Sequence, residues 1–91
     1  MTSMDLPLEA MNAAEAALYR VNAALSSRVG KELDRDTRLH IKESVRRLER
    51  TLRRKKADRL TPEDARSINA AREALSAIAA PLVEKWETGA K

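Results

Sequence analysis

The sequence predicts an all-α protein folded as an antiparallel three-helix bundle, with helices over about residues 7–29, 35–57 and 62–87. Three observations predict it. Alanine, leucine, arginine and glutamate dominate, while the 91 residues include only 2 glycines, 1 tryptophan, 1 tyrosine and no phenylalanine, a balance that suits long helices and disfavours sheets. Apolar residues recur at alternating spacings of three and four in three separate stretches. Helix caps and stops, not hairpin turns, lie between those stretches.

The first helix is expected to begin near Pro7, whose fixed φ and missing N–H fit a first turn, with Glu9 at the positive end of the dipole. Met11, Ala14, Leu18, Val21 and Leu25 form one stripe, which needs a partner surface. The helix is expected to end around Val29, with Gly30 as its stop.

Asp34 makes a good N-cap for the second helix, and Asp36 follows in its first turn. Ile41, Val45, Leu48 and Leu52 supply its apolar stripe, while Arg46, Arg47, Arg50, Arg53 and Arg54 occupy the remaining surface. Glu43 and Glu49 stand where they can pair with arginines three or four residues away.

Thr61-Pro62-Glu63-Asp64 gives the third helix a hydroxyl cap, a first-turn proline, two acids near the dipole and the form of a capping box. Ile68, Ala71, Leu75, Ile78, Leu82 and Trp86 continue the stripe, and Pro81 is expected to kink the last turns. Each helix spans roughly 33 to 39 Å at the helical rise, and the short connections favour antiparallel neighbours. The expected core is Leu18, Leu25, Ile41, Val45, Leu48, Leu52, Ile68, Leu75 and Leu82. Tyr19 and Trp86 are expected to cover it while their polar atoms reach water. Residues 1–91 read as a single domain, frayed at 1–6 and 88–91.

Composition narrows function as well. The chain has no cysteine, which removes disulfides, thiolate nucleophiles and cysteine metal sites together. No apolar run approaches the roughly 20 residues that span a bilayer, and the first residues lack a secretory pattern. A cytoplasmic protein without membrane contact is the expectation. The net charge is +4, yet Arg35 to Arg59 carries eleven Lys or Arg against four Asp or Glu. That segment is therefore about +7 and the remainder about −3, a polarity that favours acidic partners.

The residues point away from catalysis. His40 is the lone histidine and sits at the solvent edge of the second stripe, where a structural role is the simpler reading. Without His or Cys companions it builds no zinc site. Glu63 and Asp64 read as first-turn acids, not as an acid/base couple. Gly30 and Gly89 lie too far apart to cradle a phosphate, so no cofactor is expected. Arg46, Arg47, Arg50, Arg53, Arg54, Lys55 and Lys56 form a candidate surface for acidic partners, through phosphate contacts if the partner is nucleic acid.

At Asn12-Ala13-Ala14-Glu15-Ala16-Ala17-Leu18-Tyr19 the chain resembles the lid helices of DnaK-type seventy-kilodalton heat-shock chaperones. Leu25 keeps that spacing, Gly30, Leu33 and Asp34 resemble the following turn, and Thr37-Arg38 with Ile41, Val45, Leu48, Glu49 and Leu52 resembles the next helix. Ile68, Leu75 and Leu82 are similar to the last one. The resemblance covers about residues 12 to 86 and resides in many positions held in one register. Arg53 to Asp64 departs from it, being longer and more basic than the family's connection.

The resemblance implies the distal bundle of a lid that closes over a β-sandwich holding extended apolar peptides. It implies neither ATP turnover nor a peptide groove in this chain. The expected function is therefore that of a non-catalytic module acting by protein–protein packing, against chaperone domains or a client polypeptide. A small basic helical nucleic-acid-binding protein is the alternative. A seam left open by three helices would also suit a homo-oligomer.

Overall fold

The computed structural model describes residues 7–54 and 60–89. Those residues are all-helical, in the order α1 (Pro7–Ser26), α2 (Arg28–Lys31), α3 (Arg35–Arg54) and α4 (Pro62–Gly89). Three of the helices are long, at 20, 20 and 28 residues, and α2 is a single turn of 4. The molecule measures 40 × 22 × 17 Å, about the length of its longest rod.

The expected first helix is broken. Instead of running to Val29, α1 ends at Ser26, and Ser27 adopts an extended backbone and caps α2. The cause is local competition for the backbone by a serine hydroxyl. Ser27 Oγ donates to the Ala24 carbonyl at 2.6 Å and accepts from the Gly30 N–H at 3.4 Å. Gly30 is consequently not a stop but a buried residue inside α2. A methyl group there would collide with the carbonyl oxygens of Ala24 and Leu25, so the missing side chain is what lets α2 fold back across the end of α1.

The α3 cap is built from Asp34, whose carboxylate accepts from the Thr37 N–H at 3.1 Å and from the Thr37 hydroxyl at 2.7 Å. Both bonds favour the ionised form, and they hold the Asp34 carboxyl below its ordinary range. The helix is described to Arg54; the expected continuation to 57 and the expected fraying of 1–6, 90 and 91 lie outside the described residues.

A reciprocal pair opens α4, in which Asp64 N–H donates to Thr61 Oγ1 at 3.1 Å and Thr61 N–H donates to Asp64 Oδ2 at 3.0 Å. This is a capping box with aspartate in the third helical position. The helix then passes through Pro81 without interruption and ends at Gly89, two residues past its expected end near Glu87. Pro81 and Ala77 are exposed, so the carbonyl that proline leaves without a donor lies on a wet face. Thr88, expected to fray, is helical and returns its hydroxyl to the Glu84 carbonyl at 2.8 Å.

One core joins the long helices. Val21 and Leu25 from α1, Ile41, Val45 and Leu48 from α3, and Ile68, Leu75 and Leu82 from α4 are buried in it. Leu18 and Leu52 are half-buried at its margin, as is Trp86. The expected covering role of Tyr19 and the stripe position of Ile78 both fail. Tyr19 is 75% exposed and Ile78 is 43% exposed, because at about 100° per residue each lies well off the centre line of its helix's buried face. Alanine takes more of the close-packed interior than expected: beside Ala14 of the expected stripe, Ala10, Ala24, Ala65 and Ala79 are fully buried.

Candidate functional site

Two open clefts flank α1. Between α1 and α3 lies a concavity of about 550 Å³, floored by Leu25 and Val45. Lys31, Arg38, Lys42 and Arg46 line it against a single carboxylate, Glu49, with Asn22 and Ser26 on the α1 side. Arg38, Lys42 and Arg46 recur at every fourth residue of α3, so their charges rise along the cleft in steps of about 6 Å. Lys31 joins them from α2.

None of these four cations makes an ion pair among the described residues, and Arg38 Nε is buried without a hydrogen-bond partner. The expected pairing of Glu43 and Glu49 with neighbouring arginines is likewise absent among the described residues. Exposed i, i+4 pairs are weak, and side-chain entropy readily outweighs them. What remains is a concave surface with four cations against one carboxylate and, among the described residues, no ion pair between them.

The second cleft, about 620 Å³, runs between α1 and α4 and is lined by Ala13, Ala16, Ala17, Ala79, Ala80, Val21 and Val83. Arg20, Arg72, Glu84 and Glu87 share its lining, so it is apolar within and balanced in charge. Small side chains on both helices let another backbone approach closely. Arg72 Nε is buried here without a partner.

The basic run expected to meet acidic partners is divided by the helix that carries it. Arg46, Arg47, Arg50 and Arg53 are all exposed, but Arg46 lines the α1–α3 cleft whereas Arg47 lines a separate depression with Thr51, Ser67 and Ala74. Arg54 ends α3, and Lys55 and Lys56 lie outside the described residues. The residues missed as members of a site are Lys31, Arg38 and Lys42. A four-residue cation spacing is the signal for the last two, and it is weaker in the sequence than the adjacency of Arg46-Arg47 and Arg53-Arg54.

His40 is exposed on α3. No group of three or more His, Cys, Asp or Glu side chains is placed to hold a metal among the described residues. No described helix is long and apolar enough to cross a membrane. The α1–α3 cleft offers charge-assisted hydrogen bonds, and the α1–α4 cleft offers close apolar packing. No family model, curated protein or solved structure matches this chain.

Proposed function

We propose that the chain is a non-catalytic helical module that works by packing against another protein, in the manner of the distal lid bundle of DnaK-type chaperones that it resembles. The observation that carries this reading is the alanine-lined cleft between α1 and α4. It presents a preformed apolar channel with a charged rim, the form that a helix or extended segment of a partner fills.

The reading includes an antiparallel three-helix bundle of α1, α3 and α4, with α2 as the elbow at one end. Support comes from which residues share a depression. Ser27 and Arg28, past the end of α1, meet Lys85 and Trp86 near the end of α4, whereas Arg47 and Thr51 late in α3 meet Ser67 and Ala71 early in α4. An up, down, up path satisfies both.

The test is titration of the chain with the peptide-loaded β-sandwich domain of a DnaK-type chaperone lacking its own lid. Binding is expected with amide shifts centred on the α1–α4 cleft, and Ala16→Glu with Ala80→Glu should abolish it without lowering the melting temperature, since both residues are exposed. No binding at about 1 mM of either component would end the lid reading.

The alternative, nucleic-acid binding, is favoured by one observation, the exposure of Arg46, Arg47, Arg50 and Arg53 along α3. Such binding would weaken steeply with added salt. Undetectable DNA and RNA binding at low salt would remove it.

A further inference from the structure

We propose that the α1–α3 cleft is a docking groove for an acidic, amphipathic helix of a partner protein, with carboxylates at every fourth residue. The proposal rests on the reading of the chain as a protein-packing module, but it concerns a different face from the alanine-lined cleft.

Charge complementarity is the first argument. Lys31, Arg38, Lys42 and Arg46 converge on one concavity and have no ion-pair partners among the described residues. Lys31, Lys42 and Arg46 are exposed, so a single pairing to any one of them adds little, and the gain comes from several carboxylates meeting the cluster together. Arg38 Nε, already buried and unpartnered, is the donor that profits most.

Spacing is the second. Arg38, Lys42 and Arg46 stand one above the other along α3, about 6 Å apart. A helix laid alongside α3 with acids at positions i, i+4 and i+8 has the same period, so all three pairs form in one register. Leu25 and Val45 at the base of the cleft are each only 6% exposed, so they offer that helix a shallow apolar strip and recognition is chiefly by charge. A polyphosphate backbone has no apolar group for that strip.

Glu49 supplies direction. It closes the end of the ladder beyond Arg46 and repels a carboxylate there, so the partner carries its acids along the stretch from Lys31 to Arg46 and a neutral or basic residue opposite Glu49. The outer face of α3 is a poorer candidate, because Asp36 and Glu43 interleave with its arginines.

The experiment uses a labelled helical peptide with glutamates at three positions four apart and leucines beside them. Anisotropy gives its affinity, and methyl shifts of Leu25 and Val45 give its place. Lys42→Glu with Arg46→Glu should weaken binding by about tenfold or more, Glu49→Lys should tighten it, and Arg50→Glu on the outer face should leave it within about twofold. Circular dichroism of each variant secures the fold.

The proposal is overturned if the peptide does not bind. It also falls if a peptide of the same composition with scrambled spacing binds equally, or if Arg50→Glu weakens binding as much as Lys42→Glu. A short DNA duplex that binds more tightly than the peptide, with the same dependence on Lys42 and Arg46, would assign the groove to phosphates instead. Retention of β-sandwich binding by the Lys42→Glu, Arg46→Glu chain separates failure here from failure of the lid reading.

Discussion

Gly30 is where a single atom decides the local path of the chain. Helix propensity alone says that alanine in place of a helical glycine gains about 1 kcal/mol. The carbonyl oxygens of Ala24 and Leu25 stand where the new methyl would go, and backbone yields far less easily than a side chain. Gly30→Ala is therefore expected to destabilise the protein by about 1 to 3 kcal/mol, as overpacking does. Urea unfolding gives the sign directly, and a gain in stability would mean that α2 does not lie against the end of α1. A glycine after an amphipathic stretch is ordinarily a stop, and only the crossing of two helix ends reveals this one as a spacer.

At the level of elements, caps were the most legible part of the sequence because they are short-range chemistry. Asp34 and Thr61 cap as their neighbours imply, since each bonds to a backbone N–H three residues on. The break at Ser27 was not legible, because a serine in a helical pattern carries no sign of whether its hydroxyl will turn back on Ala24. Stripes were legible at their centres and not at their edges: Leu48 and Leu75 are buried, while Ile78, one position from Ala79, faces outward. Spacing gives the direction of a side chain, but the neighbouring helix sets how wide the buried face is. Arg38 and Lys42 escaped notice for a related reason, since a site shared between two helices has no contiguous signature in either.

The Asp34 cap also predicts a pH response. Its carboxyl is held low in the folded state by the two Thr37 donors, so folding favours the ionised form. That contribution is present above the ordinary unfolded value, about 3.9, and is lost as the pH falls through the lower folded value. Asp34→Asn keeps a capping oxygen but cannot titrate. Its urea midpoint should fall less between about pH 5 and about pH 2 than that of the unaltered chain. Superimposable acid limbs would show that the cap carboxylate carries no linkage.

For the whole molecule, length matters more than volume. The radius of gyration is 13.8 Å, against about 12 Å for a typical compact chain of 91 residues, as expected when rods lie side by side around a narrow core. Every long helix contributes to that one core, so none has an interior of its own. A chain ending at Leu60 would leave Ile41, Leu48, Leu25 and Val21 without Ile68, Leu75 and Leu82, and helices of 20 residues with an amphipathic face owe most of their stability to tertiary packing. Most of its ellipticity at 222 nm should disappear, whereas retention of the helical signal of α1 and α3 would show that those two fold without α4.

The bend at Ser27 has a consequence for the electric field of the surface. Had α1 continued unbroken, Lys31 would follow Arg20 by eleven residues and Ala24 by seven, on the flank that looks toward α4. The bend carries it to the other flank, where it joins Arg38. One unit of positive charge thus changes sides through backbone direction alone. Two chains of identical composition, one with a straight first rod and one with this crook, would attract different visitors to the same flank.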